Sequence, residues 1–307
     1  MADYTFILCP GQGAQAVGMG RDFLERSPEA RDLFAKANAI LGFDLAATCF
    51  EGPEDRLNQT DIAQPAIYVT SLASHAAVTA AGRLKASSVT GYAGLSLGEY
   101  TALHLAGVFD FATGLKLVQA RGRYMQEAAV SVPSGMVSII GADEDQVSGL
   151  CEQAAHGHIL VPANYNCPGQ IVVSGGLVAC QRLEQVAAEH GFRAIPLKVA
   201  GAFHSPLMQP AADRLAEDLQ GIEFCTPSKP VWSNVTAKPH EGGDSIKKLL
   251  VRQITEPVRW SQTMQTLVAA GGSFIELAPG RVLAGLLKKV ERRARVTSFN
   301  TADALTA

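Results

Sequence analysis

No excess of positive charge runs through this 307-residue chain: 26 lysines and arginines stand against 29 aspartates and glutamates, for a formal net charge of −3. Without a global positive field there is nothing to hold a polyanion, so nucleic acid is excluded as the main partner and any charged partner must meet a local patch. Six scattered cysteines (Cys9, Cys49, Cys151, Cys167, Cys180, Cys225) include no C-x-x-C pair, which excludes a disulfide-stapled scaffold and fits buried thiols in a reducing compartment. The sequence also lacks an uninterrupted run of about eighteen apolar residues, and lacks an opening basic region followed by an apolar stretch of secretory length. The expectation is a soluble cytoplasmic protein that makes no membrane contact. Internal repeats and low-complexity tracts are missing as well.

What is present is core material: 47% of residues are hydrophobic and 18% charged, enough for one large domain or two. Residues 4–9 are a short apolar run ended by Pro10 and glycines, read as a buried strand entering a tight loop. Ser27 and Pro28 form an N-cap and first-turn proline that open a helix to about residue 39. A long helix over 62–81 and a strand over 89–93 follow, and strands separated by helices imply an α/β fold with a parallel sheet covered on both faces. Between 135 and 199 the order is strand 136–140, helix 144–155, strand 159–163, strand 170–174, helix 179–190, strand 193–197. That order is a ferredoxin-like (βαββαβ) unit, predicted as a subdomain over 131–199 inserted in a large α/β domain made of 1–130 and 200–307. Helical and strand patterns resume after it, among them 206–219, strand 231–235, helix 246–254 and strand 274–277.

Gly94, Leu95, Ser96, Leu97 and Gly98 spell G-x-S-x-G between the 89–93 strand and a helix over 99–106. A nucleophile elbow needs this layout, because a sharp strand-to-helix turn lifts the serine hydroxyl above the sheet and only glycine fits on either side. A serine N-cap in a glycine-rich turn is the bland alternative. With Ser96 opening a helix, the Leu97 N–H points at any oxyanion formed there, and backbone N–H groups of the loop from Gly11 to Gln15 can complete the hole. Gly11, Gly13 and Ala16 also fit the G-x-G-x-x-A dinucleotide fingerprint. That reading requires a second strand ending in an acid about twenty residues on, where this sequence is helical.

An attacking serine needs a base, and there are seven histidines. His104 lies about 12 Å along the helix from Ser96, too far for direct proton transfer. His190 sits at a helix end, His156 and His158 form an H-x-H turn with no further metal ligands, His75 is mid-helix and His240 is in a polar loop. His204, in a loop of small residues followed by Ser205 and Pro206, is the best placed. No acid between Ser96 and His204 stands out as a third member, so a backbone carbonyl is left to orient the ring.

The helix over 111–130 carries the sharpest clue: at 100° per residue, Leu115, Leu117, Val118, Tyr124, Met125, Ala128 and Ala129 share one side, and Arg121 lies in the middle of them. A guanidinium keeps its charge, so burial there demands an anion or several carbonyls. Either a structural ion pair or snorkelling explains it, or a bidentate grip on a substrate carboxylate does. Arg123, on the opposite side, is expected in solvent.

Taken together, Pro10 to Gln15 (P-G-Q-G-A-Q), Gly94 to Tyr100 (G-L-S-L-G-E-Y), Gln119 to Gly122 continuing through Met125, Gln126 and Glu127, Asn164 to Ser174, Ala202 to Met208 (A-F-H-S-P-L-M) and Gln253 to Trp260 resemble the malonyl-CoA:acyl carrier protein transacylase family over essentially the whole chain. The resemblance implies an α/β-hydrolase-like large domain with the inserted ferredoxin-like one. It implies ping-pong transfer of a malonyl group from coenzyme A to the phosphopantetheine thiol of an acyl carrier protein, with no cofactor and no metal. By matching motif positions, Ser96 is expected as the acylated nucleophile, His204 as its base, backbone N–H groups of Gln12 and Leu97 as the oxyanion hole, and Arg121 as ligand of the malonyl carboxylate. Gln253 would orient the histidine through its main-chain carbonyl, and Asn166 would lie by the pantetheine. Leu95 departs from the histidine that many members carry before the nucleophile, so polarity beside Ser96 must differ, and Phe203 before His204 resembles malonyl-selecting members. Carrier proteins of this type are acidic. The densest basic cluster, Lys288, Lys289, Arg292, Arg293 and Arg295, is therefore a candidate docking patch, or simply a solvated helix end. A serine thioesterase or esterase would share the elbow, and a nicotinamide-dependent oxidoreductase would use the Gly11 loop.

Overall fold

The computed structural model describes residues 4–306. Nine strands occur among them: β1 (Thr5–Cys9), β2 (Val89–Gly94), β3 (Ser134–Ile140), β4 (Leu160–Cys167), β5 (Gln170–Gly176), β6 (Arg193–Pro196), β7 (Val231–Trp232), β8 (Ser273–Leu277) and β9 (Arg295–Phe299). They form a five-stranded sheet in the order β7-β2-β1-β8-β9, with every neighbouring pair parallel, and a four-stranded antiparallel sheet in the order β4-β5-β3-β6.

β1 explains why the first sheet is covered on both faces. All five of its residues are buried, and side chains alternate across a strand: Ile7 and Cys9 enter one apolar cluster, Phe6 and Leu8 another. The first cluster takes in the helices Thr60–Ala80, Gly98–Leu105 and Phe111–Ser131, and the second takes in Trp260–Ala269 and Val282–Val290. Strands that all run one way bring their C-terminal ends, and the loops after them, to one edge. The loop after β1 and the elbow after β2 therefore meet.

Helix starts follow local chemistry. Ser27 accepts from Ala30 N at 3.3 Å and begins Pro28–Leu41, and Asp110 accepts from Thr113 N at 2.7 Å and begins Phe111–Ser131. The second sheet, with the helices Glu144–Ala155 and Leu177–Glu189, has the strand order of a ferredoxin-like unit and its own core around Val137, Ile139, Leu150 and Leu183.

Two strands differ from expectation by three residues or more at one end. The strand expected over 159–163 runs on to Cys167, because its later residues pair with β5 (Asn164 opposite Val172, Tyr165 opposite Ile171, Cys167 opposite Gln170), and an isolated bridge from Asn164 to Val258 of the large domain braces a segment whose Asn and Pro residues favour turns. β7 stops at Trp232 rather than 235, since Ser233 N turns back to Lys238 O and Asn234 leaves the sheet to bond the elbow. The helix Trp260–Ala269 and edge strand β9 gave no distinct signal. β9 alternates exposed and half-buried positions along most of its length.

Candidate active site

β2 ends at Gly94, and the chain reverses into the helix Gly98–Leu105 through Ser96, whose φ of 52° is unusual for a residue with a side chain. The flanking glycines are required by space: a Cβ at Gly94 would lie 1.9 Å from Gly98 C, and one at Gly98 would lie 2.1 Å from Cys9 O. Gly11 serves the same close approach from the other side, where a Cβ would meet Leu95 O at 2.2 Å. Asn234 clamps the turn by accepting from Ser96 N at 2.6 Å and donating to Gly94 O at 2.7 Å.

The Ser96 hydroxyl lies 2.8 Å from His204 Nε2. His204 Nδ1 is 2.7 Å from the Gln253 carbonyl oxygen, which can only accept. Nδ1 therefore carries the ring proton, and Nε2 is bare and accepts from the serine. Burial, then the neighbouring Arg121 charge, pulls the His204 pKa down to about 4, against the opposing effect of its bond to Gln253. The ring is neutral at physiological pH. His204 holds a φ of 57°, and Ser205 beside it donates to Ala202 O at 2.6 Å and accepts from Leu207 N at 3.3 Å, fixing the loop.

Arg121 is 1% exposed. Its Nη1 donates to Gln64 Oε1 at 2.7 Å, and its Nη2 donates to Gln253 Oε1 and to Ser96 Oγ at 3.0 Å each. Burial pulls its pKa down, offset by Tyr100 and Glu99, and its guanidinium carbon lies 5.3 Å from the Tyr100 ring centre. No protein carboxylate touches the guanidinium among the described residues. The cation is thus held by neutral amides within reach of the nucleophile, with its charge still available. Arg123 is exposed, as its side of the helix requires.

A cavity of about 510 Å³ opens over these groups, walled by Gln12, Leu95, Ser96, Arg121, Asn166 and His204 among others. Asn166 reaches it from β4, and so lies on the ferredoxin-like side of the cleft. The Gln12 side chain reaches Thr60 Oγ1 at 3.4 Å, while its backbone N–H and that of Leu97 have no acceptor among the described residues. The loop with the dinucleotide pattern opens no helix of its own, because the next helix begins only at Arg21 and has six residues. It forms the cavity wall facing Ser96 instead.

Several residues of this network escaped the sequence reading. Glu99 is fully buried and accepts from Gln253 Nε2 at 2.7 Å, Asn234 N at 3.0 Å and His240 Nε2 at 2.7 Å. His240, expected in a polar loop, has a fully buried side chain, because Trp232 pairs with Pro239 and folds that loop over β7. The Gln253 side chain, beyond its carbonyl, joins Ser96 O at 3.0 Å to Arg121. Only the position of Glu99 three residues after the nucleophile, on a short apolar helix, offered a signal for it.

Comparisons with known proteins agree in one direction. Residues 5–302 match the acyl transferase domain family. The chain is 39% identical over 309 residues to the malonyl CoA-acyl carrier protein transacylase of Escherichia coli K12, covering 100% of this chain and 99% of that one. It is 38% identical to the mouse mitochondrial malonyl-CoA-acyl carrier protein transacylase, covering 94% of this chain and 80% of the relative. The solved malonyl CoA-acyl carrier protein transacylase of Coxiella burnetii superposes with a TM-score of 0.95 at 37% identity, covering 99% of this chain and 96% of that one. A malonyl-transacylase solved in complex with its type II PKS acyl-carrier protein gives a TM-score of 0.94 at 39% identity, covering 99% of this chain and 98% of that one.

Proposed function

The chain belongs to the acyl transferase domain family, and from that premise we propose that it transfers the malonyl group of malonyl-CoA to the phosphopantetheine thiol of an acyl carrier protein through an ester on Ser96. The observation that carries the choice of acyl group is the Arg121 guanidinium, buried among amides and 3.0 Å from Ser96 Oγ. A thioester whose acyl group ends in a carboxylate is captured at both ends.

Malonyl-CoA places its carboxylate against Arg121 and its thioester oxygen toward the backbone N–H groups of Gln12 and Leu97. His204 Nε2 takes the hydroxyl proton as Ser96 Oγ bonds the carbonyl carbon, giving a tetrahedral oxyanion. The carbon–sulfur bond then breaks, and the proton passes from Nε2 to the coenzyme A sulfur. The carrier thiol enters the same cleft past Asn166, loses its proton to His204 and attacks the ester, and His204 passes that proton to Ser96 Oγ as the carbon–oxygen bond breaks and the new thioester leaves. The Gln253 carbonyl holds the imidazolium formed at each half-step, in place of a third-member acid. The thioester supplies the activation, so the cycle uses no cofactor. No single helix among the described residues is long and apolar enough to cross a membrane. A place in the cytoplasm is supported by the full-length likeness to bacterial transacylases and by free, scattered cysteines. The exposed cluster Lys288, Lys289, Arg292, Arg293 and Arg295 follows Val282 and Leu286 of the cavity wall, which suits it to dock an acidic carrier at the mouth.

Intact-mass measurement after mixing with malonyl-CoA and no carrier tests the reading. A stable malonyl adduct, absent in Ser96→Ala, is expected; continuous release of coenzyme A with no adduct marks a thioesterase instead.

A further inference from the structure

Gln253 touches the nucleophile, the base and the arginine, and its own amide is held by a buried carboxylate. Both oxygens of Glu99 only accept: Oε2 from Gln253 Nε2 and Asn234 N, Oε1 from His240 Nε2. His240 Nδ1 has no partner among the described residues, so a proton there would be an orphaned buried donor. His240 thus lends Glu99 a hydrogen bond through Nε2. The remaining buried cation is Arg121, one amide away: Glu99 Oε2 to Gln253 Nε2 is 2.7 Å, and Gln253 Oε1 to Arg121 Nη2 is 3.0 Å. The N–H end of the amide faces the anion and its C=O end the cation, so its dipole is aligned with both.

We propose that Glu99 is a positioning residue that moderates the grip of Arg121 on the acyl carboxylate, sharing the guanidinium charge through the Gln253 side-chain amide. The inference rests on the malonyl-transfer reading. A transferase must hold its acyl-enzyme and then release it, and any binding stronger in the ester than in the transition state for release slows the second half of the cycle. A carboxylate in direct contact would block Arg121, and none at all would leave its buried charge without a nearby anion. Placing the anion one amide back avoids both extremes.

Glu99→Gln removes the charge at nearly constant shape: its amide oxygen can accept from Gln253 and Asn234, while its NH₂ faces a His240 Nε2 that must pass its proton to the unpartnered Nδ1, at a cost in stability that is measured alongside. In steady state, KM for malonyl-CoA is expected to fall about fivefold, and single-turnover transfer of malonyl from Ser96 to the carrier thiol to slow by about the same factor, with KM for acetyl-CoA moving less than about twofold. An unchanged or raised malonyl KM, or a kcat loss equal for the two acyl groups with no KM split, shows a merely structural role and overturns the proposal. Should the variant not fold, Glu99→Asp carries the test: it keeps the charge, so the malonyl-to-acetyl KM ratio is expected to stay at the parent value, and a shifted ratio overturns it. Failure of the underlying reading looks different, because the parent enzyme would then form no malonyl-Ser96 adduct.

Discussion

Arg121 and His204 both lie within hydrogen-bond reach of Ser96 Oγ in one buried site, and each sets what the other can do. A guanidinium that already bonds two neutral amides has little to lose by accepting a carboxylate and much to offer it. Charge-assisted bonding of this kind is worth about 1.5 to 3 kcal/mol, so Arg121→Ala is expected to lower acylation by malonyl-CoA about 10- to 150-fold while leaving acetyl-CoA acylation far less affected. Burst kinetics with the two thioesters check it, and an unchanged preference for malonyl removes the role. The same positive charge, added to burial, keeps His204 neutral down to about pH 4. Because protonation fills the Nε2 lone pair, acylation should be flat across neutral pH and fall as pH drops through about 4, a limb that pre-steady-state acylation resolves. Stability follows the same sign: a histidine whose pKa is lowered on folding stabilises the native state above its ordinary value of 6.5 and loses that contribution as pH falls through about 4. Arg121 was legible in the sequence because it broke a local rule, a cation on an apolar face, whereas His204 stood out from the residues alone only as the best placed of seven histidines and gained its expected role from the family motif. Glu99 offered only its place three residues after Ser96 on a short apolar helix, and His240 offered nothing, since its burial depends on a loop over β7 that no local pattern encodes.

At the scale of elements, the site is a junction of two strand ends held by atoms too close for any side chain but hydrogen. Gly94→Ala forces a Cβ to within 1.9 Å of backbone that is itself fixed by the helix Gly98–Leu105, so the helix must move away from the sheet. A loss of several kcal/mol is expected, with activity abolished even in the folded fraction. Asn234→Ala is milder, because it orphans Ser96 N and Gly94 O without a clash. It should lower stability by about 1 to 3 kcal/mol and slow acylation for both acyl groups alike, which chemical denaturation and a malonyl-to-acetyl comparison read separately. The elbow was predictable because G-x-S-x-G states a spatial requirement in the chain itself. The clamp was not: Asn234 lies 138 positions from Ser96 and reads locally as the end of a strand. Strand β4 was cut short in the sequence reading because its last residues are held extended by pairing with β5 and not by their own preference.

At the scale of the molecule, two sheets with separate cores meet across one cavity, and the substrates have to enter between them. The alternation of strands and helices made both units readable, while the cavity between them arose only from their packing. Entry of a whole carrier protein is a surface problem, distinct from the chemistry inside. The basic residues Lys288, Lys289, Arg292, Arg293 and Arg295 are all exposed, and Lys289 Nζ lies 3.4 Å from Gln170 Oε1, so the cluster borders the cavity wall. In a chain with net charge −3, such a cluster is a local exception that an acidic partner can find by electrostatic attraction. Reversing two of these charges, as in Lys289→Glu with Arg292→Glu, should raise KM for the carrier protein about tenfold at low ionic strength and progressively less as salt is added, because exposed charges are screened over about 10 Å at 0.1 M. Acylation by malonyl-CoA in the absence of carrier should change much less, since that half-reaction needs no docked protein. If both half-reactions respond equally, the cluster serves the coenzyme A phosphates; if neither responds, it is a solvated helix end and the carrier docks elsewhere.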